Sequence, residues 1–289
     1  MTNRPQTIQI FLPDGNPGSI KIADLTNRLI VATLIPRNKL NECGSRPEIH
    51  KYGVYFLFGI NEDKAKPIAY VGETDDCFIR LKDHNRKKEF WNYAVAITSK
   101  SDIFTKSHVK FLEYISVKTA KETGRYDLEN LTSPPKEHIS ESMEADLLDN
   151  FETIKVLLTT LGFPIFDEIR SNTSTAKEVL YCRGKEAIAQ GELSDSGFVV
   201  FKGSKANAEL TKTAGTWIEG IRKKLIDSNI ISLQGNTYIF NEDYVFGSPS
   251  AAAAAVLGRR ANGWTEWKNS DGKSIDEIYR AETLLTEEN

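Results

Sequence analysis

Nothing in this sequence is apolar for long enough to span a bilayer, and the opening Met-Thr-Asn-Arg-Pro-Gln lacks the apolar core of a secretory leader. The expectation is a cytoplasmic protein with no membrane partner. Cysteine is scarce: three in 289 residues, far apart and without a Cys-x-x-Cys pair, which excludes a disulfide framework and a zinc ribbon. Excess positive charge is missing too. With 37 basic and 40 acidic residues the net charge is −3, which argues against a non-specific nucleic-acid coat. An enzyme acting on nucleic acid needs only a local basic patch. Internal repeats are absent, and the alanine run after Ser250 reads as helix propensity, not low complexity. What is present, 40% hydrophobic and 27% charged residues, is an ordinary globular composition with room for two domains.

Alternation predicts strands over 7–12, 19–22 and 29–35, read as a β-rich N-terminal extension up to about residue 50. Further strands are expected over 53–58, 67–72 and 93–98, with helices over 78–88 and from about 107 to 123, where Gly124 suits a stop. The order β-β-α-β-α defines an α/β (α+β) unit over residues 51–135, broken by Ser133-Pro134-Pro135. A connecting helix follows within 136–170, with leucines, Phe151 and Ile154 on one face. Ser171 to Thr175 is the best linker, and 176–289 reads as a small α+β domain. In it Ser248-Pro249 should open a helix that Gly258 closes.

Chemistry concentrates between residues 53 and 113. Alternation sends Val54, Phe56 and Phe58 to one face, leaving Tyr55 to point elsewhere, and an antiparallel neighbour can bring Tyr70 near it. Arg80 and His84 are four apart, hence on one helix face, among Lys82, Arg86, Lys87 and Lys88. Glu113 lies on the inward stripe of its helix, four residues from Val109 and Val117. A carboxylate there needs a partner, either a hard divalent cation or an ion pair to Arg80 or a lysine. Taken singly, each tyrosine reads as a common strand residue and the cations as a solvated helix face. Their order along the chain gives them meaning together.

Gly53-Val54-Tyr55 and Tyr70-Val71-Gly72, with Arg80, Glu113 within Phe111-Leu112-Glu113-Tyr114, and Asn130, resemble the signatures of the GIY-YIG nuclease superfamily. Valines stand where that family often has isoleucine, and Glu73 where many members carry glutamine or lysine. Arg80 followed by His84 is similar to the restriction-endonuclease branch. The resemblance covers roughly residues 50 to 132. It implies metal-dependent hydrolysis of DNA phosphodiester bonds, with Tyr55, Tyr70, Arg80, His84, Glu113 and Asn130 at the site and Glu113 holding Mg²⁺ (or Mn²⁺). Either Tyr55 or His84 would act on the attacking water: unperturbed acidity favours the imidazole, the family's usual reading the phenol. Restriction-like defence against foreign DNA follows by analogy, and one site per chain makes double-strand cutting the work of a homodimer or of successive nicks.

The string from Phe246 through Arg259, Arg260, Asn262 and Trp264 to Trp267 is similar to the small domain associated with restriction enzymes and adenine methylases, which implies DNA reading through Arg259, Arg260, Asn262 and Trp264. Core tryptophans and a solvated helix end are the structural alternative. Two other readings of the whole stand beside the endonuclease: a non-catalytic reader of modified DNA, and a structure-specific repair nuclease.

Overall fold

The computed structural model describes residues 5–170, 178–212 and 214–279; the expected linker over 171–175 lies outside them. Two compact units divide the chain. One holds residues up to Asn61 and Lys66–Asp167, the other Glu62–Ala65 and the residues from Glu168 onward. Both mix α and β structure, and among the described residues no helix is long and apolar enough to cross a membrane.

The first unit is one seven-stranded sheet. Its strands are β1 (Ile8–Phe11), β2 (Lys21–Leu25), β3 (Ile30–Pro36), β4 (Gly53–Gly59), β5 (Ile68–Thr74), β6 (Tyr93–Ser99) and β7 (Asp127–Leu128), in the order β1-β2-β3-β6-β4-β5-β7. Every pairing is antiparallel except β5 with β7. The N-terminal strands therefore belong to the same sheet as the segment after residue 51. β3 pairs along seven residues with β6, from Ile30 opposite Ser99 to Pro36 opposite Tyr93.

Alternation divides β4 between two cores. Val54, Phe56 and Phe58 meet α2 (Lys106–Thr123) and α3 (Glu141–Thr160) on one face. Tyr55 and Leu57 meet the 3₁₀ turns over 37–49 and α1 (Cys77–Lys87) on the other. Helix α1 starts where the Asp76 carboxylate accepts the Ile79 N–H at 2.9 Å, and α2 stops at Gly124, whose φ of 64° is the left-handed value that glycine adopts without strain.

The second unit is another antiparallel sheet. It comprises β8 (Leu180–Arg183), β9 (Ile188–Ser194), β10 (Gly197–Val200), β11 (Lys205–Asn207), β12 (Ile231–Gln234), β13 (Thr237–Phe240) and β14 (Tyr244–Phe246). Helix α5 (Pro249–Leu257) is buried almost all round between that sheet and α4 (Gly215–Asp227), which is why its run of small residues suits it. The short α6 (Gly263–Glu266) follows.

Candidate active site

Tyr55 is fully buried and points at α1, and the reason it fits there lies on the neighbouring strand. Its register partner on β5 is Gly72. A Cβ at Gly72 would stand 2.3 Å from the Tyr55 hydroxyl, so the glycine of Tyr70-Val71-Gly72 makes the space that the phenol occupies. Tyr70 pairs with Leu57, two residues along β4 from Tyr55, and so lies diagonally across the same face. The two phenol rings are 6.2 Å apart between centroids.

Helix α1 supplies the other half. The Arg80 Nε donates to the Tyr55 hydroxyl at 3.2 Å, and the same hydroxyl shares a 2.7 Å hydrogen bond with His84 Nε2. His84 also lies 5.2 Å from the Tyr70 ring between centroids, while its Nδ1 is buried with no hydrogen-bond partner among the described residues. Burial first, then the charges of Arg80 and Lys88, push the imidazole down to about 4, so it is neutral at physiological pH. Burial, and then the neighbouring Tyr70, push the Tyr55 phenol well above its ordinary value, with Arg80 opposing. The pair therefore holds one shared proton and no net charge.

Glu113 approaches from α2, on the other face of the sheet. Burial and then the Glu73 carboxylate push its carboxyl up to about 7, against a hydrogen bond from the Glu73 backbone N–H and the charges of Lys106 and Arg80. Glu73 sits at the end of β5, and Lys106 bridges it to Asp75 with Nζ 2.8 Å from an oxygen of each. Two neighbouring acidic side chains, one of them paired with the half-exposed Lys106, fit a small divalent cation. Mg²⁺ takes one or two carboxylates and fills its remaining positions with water and phosphate oxygens. No cluster of three or more His, Cys, Asp or Glu side chains is gathered among the described residues, and that coordination does not need one.

Asn130 lies at the edge of β5 and is occupied. Its Oδ1 accepts the Val71 N–H at 3.0 Å and its Nδ2 donates to the Val71 carbonyl at 2.8 Å, so its amide extends the sheet edge beyond β7 and fixes the backbone between Tyr70 and Gly72. Of the basic residues on α1, Lys87 is ion-paired to Asp83 at 2.9 Å, Lys82 lies 5.4 Å over the Phe78 ring, and Arg86 is exposed. Sequence reasoning placed Lys88 in the basic patch around Arg80 and His84 and passed over Lys106. Lys88 falls one residue past the helical row, and Lys106 becomes relevant only through the packing of α2 against β5.

The string in the second unit is arranged differently. Trp267 is fully buried, its ring tilted by 36° against that of Phe198 at 4.3 Å between centroids, and its indole N–H donates to the Pro249 carbonyl at 3.1 Å. Asn262 caps α6 by accepting the Trp264 N–H at 3.1 Å. A Cβ at Gly263 would lie 2.0 Å from the Pro249 carbonyl carbon, so that glycine serves close packing of α6 on the start of α5. Arg259 is ion-paired to Glu266 at 2.8 Å. Arg260 and Trp264 are exposed.

Residues 180–279, within the second unit, match the family model described as a domain of unknown function, DUF4357. Neither the curated proteins nor the solved structures hold a match to this chain. The likeness is thus to a domain whose function is unknown, and it leaves the first unit to be read from its own geometry.

Proposed function

We propose that the first unit is a divalent-cation-dependent endonuclease that hydrolyses DNA phosphodiester bonds. The observation that carries this reading is the hydrogen-bond chain from Arg80 through Tyr55 to His84, in which a guanidinium and a neutral base meet on one phenol. Arg80, its side chain 43% exposed and loosely paired with Asp83 at 3.6 Å, can exchange that carboxylate for a phosphate oxygen and stabilise the charge that builds there. Tyr55 Oη is buried beneath Arg80, so the guanidinium has to turn to the phosphate to admit the attacking water. Oη then takes the water's proton while its own passes to His84 Nε2. Neither group then needs to ionise alone, and the question of phenol or imidazole becomes one relay. An arriving phosphate offsets the positive charges of Arg80 and Lys88, which removes the smaller, electrostatic part of what holds His84 neutral. Tyr70 orients the water or the phosphate beside this relay. Glu113, with Glu73 next to it, would hold Mg²⁺ or Mn²⁺, which supplies charge stabilisation at the leaving oxygen.

The second unit is proposed as an accessory domain that contacts DNA, with Arg260 and Trp264 as the members of its string left open to a partner. A restriction-like role rests on the family resemblance. The test of the nuclease reading is cleavage of plasmid and single-stranded DNA with and without Mg²⁺. Wild type should cut only with the cation, and Glu113→Ala should lose that activity. Absence of cleavage on either substrate would favour the non-catalytic reader, and full activity in the variant would remove Glu113 from the chemistry.

A further inference from the structure

Lys88 stands at the C-terminal cap of α1, where the backbone turns extended (φ −125°, ψ 127°) and carries the side chain out of the helical row. Its Nζ lies 4.5 Å from the centroid of the Tyr70 ring and 5.8 Å from that of Phe90. Lys87 is tied to Asp83 and Lys106 to Glu73 and Asp75, while Lys82 rests on the Phe78 ring, away from the two phenols. No carboxylate among the described residues is ion-paired with Lys88. An ammonium resting on two rings keeps N–H donors to spare, and the aromatic contact limits the freedom of its long stem, so less order remains to be gained on binding. Its contact with the Tyr70 ring puts it on the side of the sheet that carries the phenols.

From this placement we infer that Lys88 is a phosphate-binding residue of the site, contacting the nucleic-acid backbone on the Tyr70 side while Arg80 serves the Tyr55 side. The inference rests on the nuclease reading of the first unit and adds a contact that the sequence motifs do not include. The competing role is purely structural: a cation at a helix C-terminus interacts favourably with the helix dipole and would matter to folding alone.

Salt dependence separates the two. A residue that neutralises one phosphate of a duplex contributes about 0.9 to the slope of log affinity against log salt, whereas a helix-end charge contributes nothing to it. The experiment measures binding of the full chain to a labelled DNA duplex by fluorescence anisotropy over a salt series, in EDTA so that no cutting occurs. Lys88→Gln should make the slope shallower by about 0.9, and Lys88→Arg should restore it. Lys118→Gln, which removes a lysine paired with Glu122 on α2, should leave the slope as in wild type. Equal slopes for wild type and Lys88→Gln overturn the inference, as does weaker binding at unchanged slope with a lowered melting temperature. A wild-type chain that binds no DNA at low salt overturns the nuclease reading and this inference with it.

Discussion

In the first unit the buried Tyr55 and His84 turn their polar atoms to each other, whereas in the second the buried Trp267 and Arg222 turn theirs to backbone carbonyls. Arg222 donates to the carbonyls of Ala255, Ala208 and Val256, and so supplies the partners that the last turn of α5 lacks. Its role, like that of Trp267 on Pro249, is accounted for by the fold. A buried side-chain pair that meets no backbone group is not, because two apolar groups of the same shape would hold the core about as well. Both stretches are rich in residues that handle phosphate. Where each polar atom finds its partner is what separates a candidate site from a well-capped core.

The largest effect that tests this contrast is on catalysis. Tyr55→Phe should lower cleavage by about 10²–10⁴, the usual worth of a positioned proton-transfer group. It should also cost about 1–3 kcal/mol of stability, because it leaves His84 Nε2 buried and unpaired. The double variant Tyr55→Phe, His84→Leu sharpens the test: stability by chemical denaturation should largely return, and cleavage should not. Recovery of neither would mean that this pair serves the fold as Trp267 does. In the other region Trp267→Ala should destabilise the protein by about 3–5 kcal/mol, with no companion substitution at Pro249 able to restore it. Urea unfolding followed by the remaining tryptophans would show it.

The phenol cluster was legible because its geometry is local. A period of two puts Tyr55 on the face opposite Val54, and four residues on a helix align Arg80 with His84, whatever the rest of the chain does. Glu113 was legible as a carboxylate on an apolar stripe, but its neighbour Glu73 was not, since their approach depends on how α2 packs over β5. The place of the first three strands was hidden for a similar reason. β3 pairs with β6, whose residues lie some sixty positions later, and no local pattern encodes that partner. In the second unit the sequence offered Arg, Asn and Trp side by side, and the same residue types that grip DNA also cap helices and fill cores.

A smaller effect probes the second region where the sequence pointed to DNA. Asn262→Ala should cost about 1 kcal/mol through loss of the cap on α6. It should leave the salt slope of DNA binding unchanged, since the Asn262 carbonyl oxygen is already engaged by the Trp264 N–H. Arg260→Gln, at an exposed cation, should lower that slope by about 0.9 if the accessory unit touches a duplex. A slope that responds to Asn262 and not to Arg260 would invert the assignment of roles within the string.

The smallest effect applies the same criterion inside the first unit, to a polar pair that does serve the fold. His50 Nε2 lies 3.0 Å from the Gly44 carbonyl and Nδ1 2.9 Å from the Asp76 carboxylate, whose other oxygen caps α1. Both partners are acceptors, so the ring satisfies them fully only when both nitrogens carry protons. The Asp76 hydrogen bond, then that to Gly44, raise the His50 pKa above its ordinary value. The sign follows from linkage. Below the unfolded value of about 6.5 the folded and unfolded chains are both protonated and the pair contributes in full. As pH rises past it the unfolded chain loses the proton first, and the contribution disappears once the folded imidazolium titrates. Melting temperature should therefore fall gently as pH rises from about 6.5 at low salt, and His50→Gln should flatten that fall. Parallel profiles for the two proteins would mean that the ring is neutral in the fold and that the start of α1 is held by the Asp76 cap alone.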